Sequence, residues 1–447
     1  MAISARHPQI TAERSAEWLV MRDTASGQTM IKARGETYLP KPSGFNSQAD
    51  GGTAAYRAYL RRSDFPEIVA PTIAALVGIV HSREAQIEMP EAMQGLWENA
   101  DGHGGSLEAF HRRATRNLLW LGRYGIMADA PEAGGEPFLV GYAGDAIVNW
   151  DRDFFALDET YDARAGFVWE RRTRYRVLDI EDGRLVVRIY EGFGEAFDLV
   201  GEAFPVARGG GALDFVPFVV ANARDISPDV EAPPLIGVAN AALSIYQLSA
   251  DYRHQLYMSG QETLVAINGP APKYVGAGVV HEMRAEMGVA PDLRYVSPTC
   301  RGIEAHLQAM HSQEQAAVAA GARMFDTAQR GQESGEARRL RFASETANLM
   351  SVATVSAGLL ERGLRNVARM MGLDPAAVVV SPPADLLAAR MAPQEAEALV
   401  RAWQAGAISY RTLYENLQRG GIASAERDDA AEAGLISGEA AGGDDLL

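Results

Sequence analysis

The chain has 447 residues, of which 47% are hydrophobic and 22% charged, and a formal net charge of −16. These are the proportions of an ordinary soluble globular protein, long enough to bury a sizeable core in two or more domains. Its longest apolar runs, residues 72–80 and 215–223, fall well short of the ~20 residues a membrane helix needs, and its acidity is the opposite of what a protein gripping DNA by its phosphates usually shows.

Taken in order, residues 1–60 read as irregular, with Pro40, Pro42, Gly44 and Gly51-Gly52 marking a long loop. Helices are expected over residues 65–80 and 106–121, the second capped by Ser106 with Glu108 behind it. From 126 to 222 the pattern turns to β. Residues 174–180 and 184–190 flank Asp182-Gly183, a strong hairpin signal, and 215–220 reads as a further strand. Residues 234–260 are helical. A small insertion follows, with strand 263–267, helix 278–287 and strand 293–296.

The most informative stretch is 303–372. Ile303, Leu307 and Met310 recur at helical spacing, and so do Leu349, Val352, Leu360, Leu364, Val367 and Met371. Residues 326–334 interrupt the two halves with a polar run, and no proline lies between Pro298 and Pro375. The second helix is about ten turns long at 3.6 residues per turn. Ala353, Ser356, Ala357, Gly358 and Gly363 suit close packing against a neighbour, by default within the chain. A short strand at 377–380 and helices from Pro393 complete the pattern. Residues 426–447 carry seven acids and one base and read as a solubilising disordered terminus.

Motifs for chemistry are missing or weak. A P-loop needs a Gly-Lys pair to cradle phosphates, and the sequence has none. There is no Gly-x-Ser-x-Gly elbow, and 122–125 and 209–211 read as turns. His306 and His311 are five apart and do not stack on one helical face, so a zinc site is not expected. Cys300, the single cysteine, excludes an intrachain disulfide and fits a reducing cytoplasm at synthesis. Its surroundings offer no basic partner for a nucleophile. Asp145, Asp151, Asp153 and Asp158 surround Trp150 and Phe154-Phe155. They read as alternation on a sheet edge, and alternatively as carboxylates for a metal or acid–base chemistry. The tryptophans at 18, 97, 120, 150, 169 and 403 read as core or interface anchors.

The order helix, polar loop, Glu345-Thr346-Ala347, long helix resembles tailed-bacteriophage portal proteins. Residues 233–257, the run 402–414 with Gly406, Ile408, Ser409 and Thr412, and His7-Pro8, Trp18, Met21, Asp23, 35–42 and 122–125 extend the likeness. The N-terminal segments among these, from His7-Pro8 to 122–125, are similar to a portal-like phage family catalogued as a domain of unknown function. The resemblance implies an α+β, portal-like fold. Residues 1–233 would form a wing, 234–260 a stem helix, 261–302 a clip and 303–325 a second stem helix. Residues 326–335 would form a tunnel loop, 336–380 a long helix returning to the wing, and 381–447 a crown with its acidic tail.

The resemblance also implies a non-enzymatic role. Twelve copies, in the family's manner, would ring the capsid vertex of a virion, made in the host cytoplasm, with no membrane, cofactor, metal or catalytic residue. Partners would be double-stranded DNA, the terminase motor, a head–tail adaptor and the major capsid protein. Thr327, Gln329, Arg330, Gln332 and Glu333 would face the DNA, joined by Arg338, Arg339 and Arg341. Arginine can touch phosphate in any sequence, while an otherwise acidic wall keeps the duplex from sticking. The alternative is a metal-dependent phage hydrolase or processing factor using Asp145, Asp151 and Asp153.

Overall fold

Three helices occupy the first sixty residues, where an irregular segment was expected. The computed structural model describes residues 3–131, 135–193, 196–260, 262–275, 282–284, 290–296, 302–322, 335–382, 393–419, 422–423 and 427–442. The Thr11 hydroxyl accepts from the Arg14 N–H (3.2 Å) and starts α1 (Ala12–Ala25). Helices α2 (Gln28–Ala33) and α3 (Thr53–Arg62) follow, separated by the Pro- and Gly-rich loop. The Trp18 indole N–H donates to the Leu121 carbonyl and the Trp120 N–H to that of Met21, each at 2.9 Å. Buried Asp23 accepts from Arg34 (2.8 Å) and Tyr38 (2.7 Å), which removes the cost of an unpaired carboxylate in the interior.

Helix α4 (Val69–Val80) starts later than expected because Pro66 disfavours a helical Phe65. Strand β1 (Gln86–Glu88) leads to α5 (Leu107–Leu121). There Ser106 caps the first turn as expected, and Gly122 at φ 73 ends the helix in the left-handed region.

The β part runs β2 (Arg123–Asp129), β3 (Phe138–Ala143), β4 (Ile147–Trp150), β5 (Phe154–Asp158), β6 (Tyr161–Ala165), β7 (Val168–Glu181), β8 (Arg184–Phe193), β9 (Ala196–Ala203) and β10 (Phe218–Asn222). Glu181 pairs with Arg184 across Asp182 (φ 49) and Gly183 (φ 72), the two positive-φ positions of a type I′ hairpin. Antiparallel strands form one sheet in the order β10-β2-β3 and another in the order β4-β5-β7-β8-β9, with β6 paired to the outer half of β7. The last expected strand begins at Phe218 instead of Phe215.

Helix α6 (Ile236–Ser259), the ribbon β11 (Thr263–Ile267) with β12 (Asp292–Val296), and α7 (Ile303–Ala317) come next. The helix expected over 278–287 lies mostly outside the described residues, as does Cys300. The α-helix expected to reach 325 ends at Ala317 and continues as a π-helical turn, Val318–Ala322. Gly321 at φ 125 leaves helical geometry there. Helix α8 (Gly335–Met370) is followed by β13 (Val379–Ser381), which pairs with β1. Helices α9 (Pro393–Gln404), α10 (Tyr410–Arg419) and α11 (Asp429–Gly442) end the described chain. The acidic terminus expected to be disordered is thus helical over 429–442, with Asp428 accepting from the Ala431 N–H (2.7 Å).

The core forms where α8 packs on α5 and on the sheet β10-β2-β3. Leu349, Val352, Leu359, Leu360, Leu364 and Val367 are buried there. The small residues act within the chain. A Cβ on Gly363 would stand 2.7 Å from Ile126, and the Ser356 hydroxyl meets that of Thr115 at 2.7 Å. Thr115 also meets the His81 ring (2.9 Å), and burial pushes His81 down to about 4 and its neighbour His111 down to about 3. The fold is α+β, and no described helix is long and apolar enough to cross a membrane.

Candidate functional site

Helices α6 and α7 pack antiparallel into a hairpin. Gly302 and His306 lie against Gln255 at one end, and Ala320 lies against Gly237 at the other. The 24 residues of α6 make a rod about 36 Å long. Its first two-thirds are rooted in the core through Val238, Ala242, Tyr246 and Ala250.

Helix α3 braces the middle of that rod. The Tyr59 hydroxyl donates to Asp251 (2.5 Å), and Arg253 pairs with Asp64 (2.9 Å). The Arg62 guanidinium lies 4.0 Å from the centre of the Tyr257 ring and 3.3 Å from His254 Nδ1. Burial, then the Asp251 charge and hydrogen bond, hold the Tyr59 hydroxyl well above its usual range. Burial and the Arg62 charge push the His254 ring down.

Beyond the brace the hairpin loses its cover. Leu256 (41% exposed), Tyr257 and Met258 on α6 and Leu307 (46%) on α7 are partly exposed, as are Tyr295 and Val296 on the ribbon and Tyr274 and Val275 between its two strands. Ile303 and Met310 are only half-buried. The apolar stripe read from the sequence is therefore real, but the described residues of one copy leave it partly open. Exposed apolar residues gathered on neighbouring elements make this end of the hairpin a candidate interaction surface.

Thr327, Gln329, Arg330, Gln332 and Glu333 lie outside the described residues. Arg338, Arg339 and Arg341 fall on the helical backbone of α8, ahead of Leu349 where its described burial begins; their side chains lie outside the described residues.

The aspartates do not converge. Asp145 accepts two hydrogen bonds from Arg22, both 2.6 Å. Asp151 accepts from the Arg152 N–H and Asp158 from the Thr160 N–H, each at 2.8 Å. Strand β4 is an edge strand, as the aromatic alternation implied. Among the described residues no three His, Cys, Asp or Glu side chains gather as a metal site.

Two features escaped sequence reasoning. Arg362, Arg365 and Arg369 on α8 join Arg152 around a shallow cavity of about 420 Å³ floored by phenylalanines. Their spacing of three and four along one helix face was the available signal. Much of that charge is answered locally, since Arg365 pairs with Glu361 (2.9 Å) and Arg369 lies over Phe215 (3.4 Å). The second feature is an uncovered hairpin tip at Phe167, Val168 and Trp169.

A model of the family described as "Domain of unknown function (DUF4055)" matches residues 234–371, from the start of α6 to the end of α8. No match is found among curated proteins. Among solved structures, the virion of a native gene transfer agent particle aligns at 14% identity and TM-score 0.43, covering 81% of this chain and 92% of that one. The neck of an empty particle, computed with C6 symmetry, gives 13% and 0.39 over 81% and 92%. The neck of a native particle, computed with C12 symmetry, gives 13% and 0.35 over 78% and 89%. At such scores the likenesses assign no function to this chain.

Proposed function

We propose that this chain is a phage portal subunit, twelve copies of which form a ring at the capsid vertex. Double-stranded DNA would enter and leave the head through its channel. A terminase motor would dock first and a head–tail adaptor afterwards, with the major capsid protein around the ring. The observation that carries the reading is the α6–α7 hairpin, rooted in the core at one end and apolar but uncovered at the other, with a β-ribbon at its tip. A neighbouring copy in a closed head-to-tail ring would cover that surface.

The element order supports the same reading: a mixed wing before the stem helix α6, a small clip at 261–302, α7, residues 326–334, the long helix α8, then terminal helices. The missing P-loop fits a conduit driven by a separate motor. A metal-dependent hydrolase gains no support, because Asp145 pairs with Arg22, Asp153 lines the arginine-ringed cavity, and among the described residues no three His, Cys, Asp or Glu side chains gather.

The role proposed for Thr327, Gln329, Arg330, Gln332 and Glu333, with Arg338, Arg339 and Arg341, is transient contact with the duplex. Replacing residues 326–334 with a short glycine-containing turn tests it, in rings already incorporated into heads. Ring assembly is expected to persist while DNA packaging or retention falls. Full packaging and full retention would return the segment to a plain connector.

A further inference from the structure

The β6–β7 hairpin carries apolar residues that no described residue of its own chain covers. Ala165 pairs with Val168 across a two-residue turn whose first position is Gly166 at φ 65, the place a II′ turn reserves for glycine. Phe167 is 99% exposed and Trp169 67%, with Val168 exposed between them. Isolated surface hydrophobics are ordinary, but three in succession at the tip of a projecting ribbon invite pairing.

A receptor of matching character lies elsewhere on the same sheet. A groove of about 1090 Å³ runs beside the ends of β2 and β9, lined by Met127, Leu178, Val187, Phe204, Val206 and Met370 among others. Phe204 and Val206 are more than half exposed in it. The groove exceeds the volume of the three tip side chains, which leaves room for the turn backbone.

Charge follows the same pattern. Arg208 and Glu136 line the groove, and Glu170, Arg171 and Arg172 flank the tip on β7. Among the described residues none of these five side chains is in an ion pair. Both signs of charge are thus open on each surface, a complementarity that fixes register more than it adds affinity.

The tip cannot reach its own groove. Trp169 of the tip and Arg174, Arg176 and Leu178 of the groove lie on β7, one continuous strand. The nearest lining residue on that strand, Arg174, is about 17 Å from Trp169, and Leu178 is about 30 Å away, at the ~3.3 Å rise of a strand. We infer that the Phe167–Trp169 tip of one copy seats in the β2–β9 groove of a second copy of this chain. Knob and hole are different patches, so the contact is heterologous, and repetition with closure gives a ring. The inference rests on the proposed ring and supplies it with a second contact, distinct from the α6–α7 hairpin.

The test uses the full chain with Cys300→Ser, Phe167→Cys and Val206→Cys combined, treated with a short bismaleimide after assembly. Covalent multimers in a denaturing gel are expected from the pair, and monomer from either cysteine alone. Rings seen by native mass spectrometry without a covalent ladder would overturn this inference and leave the portal reading standing. Monomers alone, with no rings, would overturn both. An intrachain product at monomer mass would refute the distance argument. Independently, Phe167→Ser with Trp169→Ser should raise the concentration for half-assembly at least tenfold, while the fold of the single chain, where both are exposed, stays intact. Unchanged assembly in that variant would also overturn the inference.

Discussion

Leu256→Glu combined with Leu307→Glu should abolish assembly and leave the subunit folded. Both leucines are a little under half exposed in the single chain, at 41% and 46%. Covering what remains open would contribute about 1 kcal/mol each, roughly half the ~1.5–3 kcal/mol for full burial of such a side chain. Each introduced carboxylate must also lose water in the contact, at a cost of several kcal/mol if it finds no partner. The total is on the order of 5 kcal/mol per interface, or between 10³ and 10⁴ in the association constant at about 1.4 kcal/mol per tenfold. A closed ring repeats that loss at every junction. Neither substitution touches the buried root of α6, but the covered half of each leucine is worth about 1 kcal/mol, so the fold should lose about 2 kcal/mol and persist. Sedimentation velocity reads the assembly and thermal unfolding of the monomer reads the fold. Rings that persist at unchanged concentration would refute the claim that this surface is an interface. A variant that is unfolded as a monomer would refute the description of the leucines as uncovered.

Acid should weaken the core through His111 and, less, through His81. Burial holds their folded pKa values down at about 3 and about 4, against about 6.5 unfolded, so the unfolded state takes up protons first. Stability is then full above pH 6.5 and falls below it towards pH 4. The slope is about 1.4 kcal/mol per pH unit for the fully buried ring, and less for half-buried His81, which water screens. Denaturant midpoints of His111→Leu should show a shallower acid limb, and an unchanged limb would contradict the burial argument. On α8, Leu360→Ala should cost about 2–5 kcal/mol, while Arg362→Ala, two residues on but exposed, should stay within about 0.5 kcal/mol. Urea unfolding that found equal effects would mean the helix is rotated from the orientation described.

What was legible in the sequence followed from local signals. Ser106 and Gly122 bound α5 because capping is local chemistry, and Asp182-Gly183 placed the long hairpin because few residue pairs tolerate two positive φ angles. The apolar period of α8 identified a core helix because its stripe meets β2, β10 and α5 of the same chain. On α7 the same reasoning found the stripe but not its exposure, since periodicity says which face is apolar and not whether a single copy covers it. Helix α1 was missed because Trp18 and Met21 sit among charged residues and beside a conspicuous Pro/Gly loop. Its inward face became evident only from contacts about a hundred residues away, to Leu121 and Trp120. The π-helical turn at Val318–Ala322 was missed because alanine-rich sequence favours a helix and Gly321 alone breaks it. Trp169 read as a core or interface anchor, and only the tertiary structure shows that it is uncovered in the single chain, with Val168 beside it.

The native mass of the purified chain tests the central claim most directly. Twelve copies of this 48.2 kDa chain would weigh about 580 kDa as a closed ring, and native mass spectrometry with negative-stain micrographs should show annular particles near that mass. A protein that remains monomeric or dimeric at micromolar concentration, with no annular particles in the micrographs, would contradict the portal account.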